Sequence, residues 1–83
     1  MKRVDYTRDA LRTLRKMPAN TAARIRHKVA DYAADPQSQA NYIKALKGRD
    51  GVRLRVGNWR VIMQDGVVLT VLEVGPRGSI YDD

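Results

Sequence analysis

Val52-Arg53-Leu54-Arg55-Val56-Gly57-Asn58-Trp59-Arg60-Val61-Ile62-Met63-Gln64-Asp65-Gly66-Val67-Val68-Leu69-Thr70-Val71-Leu72 is the stretch whose reading decides the fold. From Val52 onward apolar residues recur with a period of two, the spacing of a strand that buries one face. Gly57-Asn58 and Asp65-Gly66 interrupt the alternation, and both dipeptides suit two-residue hairpin turns. The stretch therefore reads as three strands in an antiparallel meander. Counting outward from the first turn pairs Val56 with Trp59 and Leu54 with Val61. Counting from the second pairs Met63 with Val68, Val61 with Thr70 and Trp59 with Leu72. One sheet face then gathers Val52, Leu54, Val56, Trp59, Val61, Met63, Val68 and Leu72, and the other holds Arg53, Arg55 and Arg60 with Ile62, Leu69, Val71 and Glu73.

Upstream the period changes to that of helices. Val4 and Tyr6 alternate in a short first strand within residues 1–6, and Thr7 is placed to cap a helix that Pro18 ends. Ala10, Leu11, Leu14 and Met17 fall on one face of that helix, with Arg8, Arg12, Arg15 and Lys16 mostly away from it. A second helix starts at Asn20 or Thr21 and runs to about Ala34, where Asp35-Pro36 stops it. Its buried stripe is Ala22, Ile25, Val29 and Ala33. The short break at Pro18 makes the helices an antiparallel pair, and residues 37–51 read as a polar connector with room for a helical turn. The expected fold is α+β, an N-terminal strand and antiparallel helix pair packed on a small antiparallel sheet.

The chain has 83 residues, so residues 1–83 are expected to form a single domain. It has no cysteine and one histidine, which leaves no thiolate framework and makes a zinc site or other resident cofactor unexpected. No apolar run approaches the roughly 20 residues of a membrane helix, and the first residues lack the apolar stretch of a signal peptide. A soluble, cytoplasmic protein with no membrane contact is expected. Sixteen Lys and Arg against nine Asp and Glu give a net charge of +7, which draws polyanions or an acidic protein partner.

Charge placement sharpens that expectation. Arg55 is expected directly across from Arg60, and like charges so paired oppose folding unless an anion compensates. Arginines coating a solvated sheet face, with Glu73 diagonal to Arg60, would account for any one of them; three together favour a phosphate site. Ile62, Leu69 and Val71 add apolar surface for a partner segment or a nucleobase. Arg77 and Tyr81 share the parity of Glu73 and approach this face if the chain stays extended. His27 points away from the buried stripe of its helix and reads as a surface residue. Trp59 has core parity. Lys44 and Lys47, on the connector, read either as solvated loop residues or as a border to the arginine face.

The segments Leu46-Lys47-Gly48, Val52 to Ile62, and Val74-Gly75-Pro76-Arg77-Gly78-Ser79-Ile80-Tyr81 resemble the RelE/ParE toxin superfamily. The shared pattern is a leucine-lysine-glycine turn, an arginine-rich strand, a glycine and aromatic-arginine hairpin, and a closing glycine-x-arginine that ends in tyrosine. The likeness extends over nearly the whole chain, because that family also opens with a strand and two antiparallel helices. It implies the toxin half of a type II toxin-antitoxin pair. Ribonuclease members cut messenger RNA, usually on the ribosome, and so inhibit translation; ParE-like members instead poison DNA gyrase. The implied partners are a cognate antitoxin, in a heterotetramer or larger complex, and mRNA.

Carried over residue by residue, the resemblance implies catalytic roles for Arg60, Arg77 and Tyr81 and phosphate binding by Arg53 and Arg55, with Lys47 and Lys44 beside them. All of the arginine and tyrosine positions are filled, which favours RNA cleavage over gyrase binding. The chain departs from the family in two places. Arg53 and Arg55 stand where lysines are known, and arginine cannot act as a base at working pH. Pro76 stands where many relatives carry a histidine or lysine. The implied reaction needs no cofactor or metal: the RNA 2′-hydroxyl attacks the adjacent phosphate, giving a 2′,3′-cyclic phosphate and a 5′-hydroxyl. Arg60 and Arg77 would hold the scissile phosphate and leaving oxygen, Arg53 and Arg55 the neighbouring charge, and Tyr81 would be the base. A tyrosine of ordinary pKa is ionised to about one part in a thousand at pH 7, and surrounding cations would raise that fraction.

Overall fold

The structure is a computed structural model that describes residues 2–78. Strand β1 (Val4–Tyr6) leads into helices α1 (Arg8–Lys16) and α2 (Ala19–Ala34). A 3₁₀ segment (Pro36–Tyr42) then runs directly into strand β2 (Ile43–Ala45), followed by β3 (Val52–Val56), β4 (Trp59–Asp65) and β5 (Leu69–Pro76). The strands form one sheet in the order β1-β5-β4-β3-β2. The expected α+β architecture holds, and the sheet is mixed because β1 joins β5 in parallel while the other pairs are antiparallel.

Thr7 does what its position predicts. Its Oγ1 accepts from the Ala10 N–H at 3.2 Å and donates to the Leu72 carbonyl at 2.7 Å, so one hydroxyl caps α1 and ties it to β5. Helix α2 begins one residue earlier than expected, because the Pro18 carbonyl already accepts from Thr21 and Ala22. Ala10 and Leu14 of α1, Met17 at its C-terminal cap, and Ile25, Val29, Tyr32 and Ala33 of α2 are buried against Leu54, Val56, Val61, Met63, Leu69, Val71 and Val74 of the sheet.

The β3–β4 register is the expected one, with Val56 opposite Trp59, Leu54 opposite Val61 and Arg55 opposite Arg60. Gly57 has φ 59° and Asn58 does not have positive φ, a combination that fits a type II′ turn with glycine in its first central position. The β4–β5 register differs. Asp65 pairs with Leu69 and Met63 with Val71, so the loop holds three residues and not two; beyond a bulge, Val61 pairs with Val74 and Trp59 with Pro76. Burial explains the change. A two-residue turn would have turned Val68, Thr70 and Leu72 inward, one of them polar. The observed loop and bulge bury Leu69, Val71 and Val74 and leave Val67 exposed at the tip. Leu69 and Val71, expected on the arginine face, therefore belong to the core, while Val68 and Leu72 are only half-buried.

Candidate functional site

The sheet face away from the helices is organised in cross-strand rows, since directly opposed residues point to the same side. Lys44 pairs with Arg53, Arg53 with Ile62, and Ile62 with Glu73, giving one row across β2, β3, β4 and β5. In the next row Arg55 pairs with Arg60 and Arg60 with Gly75. Both rows exist because β3 alternates Arg53 and Arg55 with the core residues Leu54 and Val56. Ile62 is fully buried yet lies outside the main core, in the row of Lys44, Arg53 and Glu73.

Arg53 and Arg60 are each only 8% exposed, unusual for arginine. Arg60 is held by its Nη1, which donates to the Gly57 and Trp59 carbonyls at 3.0 Å each. Arg77 follows β5, and its backbone N–H donates to the Asn58 carbonyl at 2.8 Å, which brings the closing turn beside the β3–β4 hairpin. Arg55 is exposed, with its guanidinium 5.6 Å from the centre of the Tyr42 ring. Burial, and then the like charges of Arg53, Arg77 and Arg55, push the Arg60 pKa below the ordinary guanidinium value. Four guanidiniums thus feel one another around Arg60, and an anion seated among them would relieve that repulsion. Arginine forks match phosphate oxygens in geometry as well as charge.

The structure thus brings Arg53, Arg55, Arg60 and Arg77 together and sets exposed Lys44 in line with Arg53. Lys47 is exposed two residues beyond β2 and belongs to neither row. Tyr81 lies outside the described residues. His27 is exposed on α2, its Nε2 3.8 Å from Asp31 Oδ2, and Trp59 is half-buried against the core.

Sequence reasoning missed β2, and with it Tyr42, whose ring lies 4.9 Å from Lys28 Nζ as well as near Arg55. Its signal was Ile43 just before Lys44, an alternation too short to stand out. It also left Arg49 unassigned; from the β2–β3 loop this side chain reaches Glu73 at 3.4 Å. Among the described residues no group of three or more His, Cys, Asp or Glu side chains converges in a way that could hold a metal ion, and no helix is long and apolar enough to cross a membrane.

A helix pair packs on one face of a five-stranded sheet that includes the short N-terminal strand, and clustered arginines lie on the opposite face. The family model of the ParE toxin of type II toxin-antitoxin systems matches residues 4–81, and the chain belongs to that family. Among solved structures it is similar to the archaeal RelE–RelB complex from Pyrococcus horikoshii OT3, with 24% identity, a TM-score of 0.79, and coverage of 94% of this chain and 97% of that one. The isolated E. coli RelE toxin gives 22% identity and a TM-score of 0.76 over 93% of this chain and 85% of that one. A mutant E. coli RelE in complex with a peptide of the antitoxin RelB gives 25% identity and a TM-score of 0.74 over 94% and 85%. A search of curated proteins gave no match.

Proposed function

We propose that this toxin is an endoribonuclease that cuts messenger RNA on the ribosome and so inhibits translation. The observation that carries the reading is the arginine cluster around Arg60, whose burial and mutual repulsion favour a bound phosphate. Arg60 and Arg77 hold the scissile phosphate and stabilise the leaving 5′ oxygen, while Arg53 and Arg55 take the neighbouring charge, with Lys44 and Lys47 at the border. The 2′-hydroxyl is the nucleophile, and the products are a 2′,3′-cyclic phosphate and a 5′-hydroxyl. On sequence grounds Tyr81 is the proton carrier. The partner is a cognate antitoxin whose acidic or amphipathic segment covers the basic surface, as the complexes of the similar RelE proteins with RelB support. Its action belongs to the cytoplasm, where mRNA is translated.

Brief induction in bacteria with transcriptome-wide mapping of new 5′ ends tests this reading, beside an Arg60→Ala, Tyr81→Phe double variant. New ends inside translated regions that vanish in the double variant are the expected result. The match to the ParE family favours a second reading, gyrase poisoning without nuclease chemistry. Growth arrest with DNA-damage signalling and no new ends would select it.

A further inference from the structure

We propose that Tyr42 is the platform on which a base of the bound RNA stacks, an inference that rests on the RNA-cleavage reading of the arginine face. Ile43 pairs with Leu54 in the β2–β3 ladder, and the next step of the same register sets Tyr42 opposite Arg55. Arg55 in turn pairs with Arg60, so Tyr42 stands at the head of the row that holds the arginine cluster. The side chains agree with the register, since the Arg55 guanidinium lies 5.6 Å from the centre of the Tyr42 ring. Arg60 Nη1 donates to the Gly57 and Trp59 carbonyls, so its guanidinium lies at the β3–β4 turn, the end of β3 at which Arg55 and Tyr42 also stand. Arg55 is among the charges that act on Arg60, which ties the neighbour of the ring to the phosphate site. Two strand spacings put the backbone of Tyr42 about 10 Å from that of Arg60. That is close to the length of a nucleotide, so a phosphate held by the cluster leaves an adjoining base within reach of the ring.

The ring is also available. Among the described residues Tyr42 is the one exposed aromatic, with 38% of it accessible, whereas Tyr32 is buried and Tyr6 and Trp59 are half-buried against the core. The hydrophobic core closes without it. Lys28 of α2 brings a second cation to the ring, its Nζ 4.9 Å from the centre. Two cations beside an exposed ring draw the sugar-phosphate backbone towards it, and the ring offers the base a π face. Cation–π contacts at so exposed a position are weak and do not lock the ring. Arg55 is exposed, and a planar guanidinium stacks on a base as well as on a phenol, so it can slide off the ring or close over the base. The arginines bind phosphates without reading bases. Tyr42 therefore supplies the base preference of the site, and it favours purines because they present the larger π face.

Cleavage of short mRNAs at sub-saturating concentration, free and held on programmed ribosomes, tests the assignment with wild type, Tyr42→Phe and Tyr42→Leu. In the RNA series an abasic nucleotide replaces, in turn, each nucleotide around the cut. Loss of a base–aromatic stack costs about 5-fold to 100-fold in binding. Tyr42→Leu should lose that factor in kcat/KM on intact RNA, and Tyr42→Phe, which keeps the ring, should stay within about threefold of wild type. One abasic position should cost wild type the same factor, and at that position Tyr42→Leu should cost nothing further. There wild type should cut RNA carrying adenine or guanine faster than RNA carrying uracil or cytosine. A Tyr42→Leu protein of wild-type melting temperature that cleaves intact RNA at the wild-type rate overturns the assignment and leaves the nuclease reading standing. An equal Tyr42→Leu loss on intact RNA and on every abasic RNA also overturns it, by making the ring a support for Arg55. If Tyr42→Leu melts below wild type, the abasic series on wild type decides, and the absence of any sensitive position overturns the assignment. Wild type that cuts neither free nor ribosome-held RNA overturns both readings.

Discussion

At Arg60 the cost of folding and the capacity to bind come from the same atoms. Its guanidinium is taken from water and set beside Arg53, Arg77 and Arg55, which lowers its pKa and weakens the fold wherever no anion answers the charge. An anion that binds only the folded cluster must stabilise the protein by mass action. In about 50 mM phosphate, against chloride at equal ionic strength, the melting temperature of wild type should rise by several degrees, about 1 kcal/mol for a domain of this size. Arg60→Met should lose at least half of that rise. An equal rise in the variant would assign the effect to general exclusion of phosphate from protein surfaces.

Asp65 gives a second residue-scale expectation, with the opposite sign of charge. The bond from Lys2 lowers its pKa most; burial opposes, and the bond from Tyr32 at 2.8 Å lowers it further. Tyr32 is pushed up to about 12, by burial and then by the Asp65 carboxylate. A depressed carboxylate contributes stability that is present above its unfolded pKa, near 4, and is lost as pH falls through the folded value. A raised phenol contributes stability present below pH 10 and lost as pH rises through about 12. Asp65→Asn should therefore melt lower than wild type at pH 7 and show a shallower decline on acidification below about pH 4. Tyr32→Phe should flatten the alkaline decline. Melting temperature followed against pH reads both.

At the scale of elements, the joints between them decide what could be read from the sequence. The β3–β4 hairpin was legible because a glycine at a turn position and five residues of clean alternation on β3 agree on one register. Thr7 and Pro18 were legible because caps and breakers act within a few residues. The β4–β5 joint was not: Asp65-Gly66 advertises a two-residue turn, and only burial of Leu69, Val71 and Val74 together selects the longer loop and the bulge. Strand β2 was hidden because three residues with exposed Lys44 and Ala45 carry too little pattern, a frequent property of edge strands. The arginine rows depend on β3 and β4 and were therefore readable; Glu73 was also read on their face, because the longer loop and the bulge shift the β5 register by steps that cancel in parity beyond the bulge. Thr7 joins two of these elements through one hydroxyl. Thr7→Ala should cost about 1–2 kcal/mol, since it removes a helix cap and the donor to the Leu72 carbonyl. Gly51→Ala should cost more than Gly48→Ala, because a Cβ at Gly51 would stand 2.7 Å from the Met63 carbonyl oxygen while at Gly48 it meets nothing within 4 Å. Chemical denaturation of the three variants orders them.

Across the whole molecule the positive charge lies on two sides. The helices carry Arg8, Arg12, Arg15, Lys16, Arg24, Arg26 and Lys28 against Asp9 and Asp31, so net charge alone does not say which face an RNA meets. The two faces differ in how the charges are held. Arg12, Arg15, Arg24 and Arg26 are exposed, where ions screen them and single contacts are weak. Arg53 and Arg60 are buried in register on a rigid sheet, where a phosphate replaces water poorly placed to solvate them. Binding of a single-stranded RNA should accordingly release few counterions. Each neutralised phosphate contributes about −0.7 to the slope of log affinity against log salt. Contacts from Arg53, Arg55, Arg60 and Arg77 alone predict a slope of about −3, and engagement of both faces one of about −6 or steeper. Arg60→Ala should make the slope shallower by about 0.7, and an Arg12→Ala, Arg15→Ala pair should leave it unchanged. A steep slope that the helix pair of substitutions reduces, with Arg60→Ala silent, would move the RNA to the helical side and take the sheet cluster out of the interface.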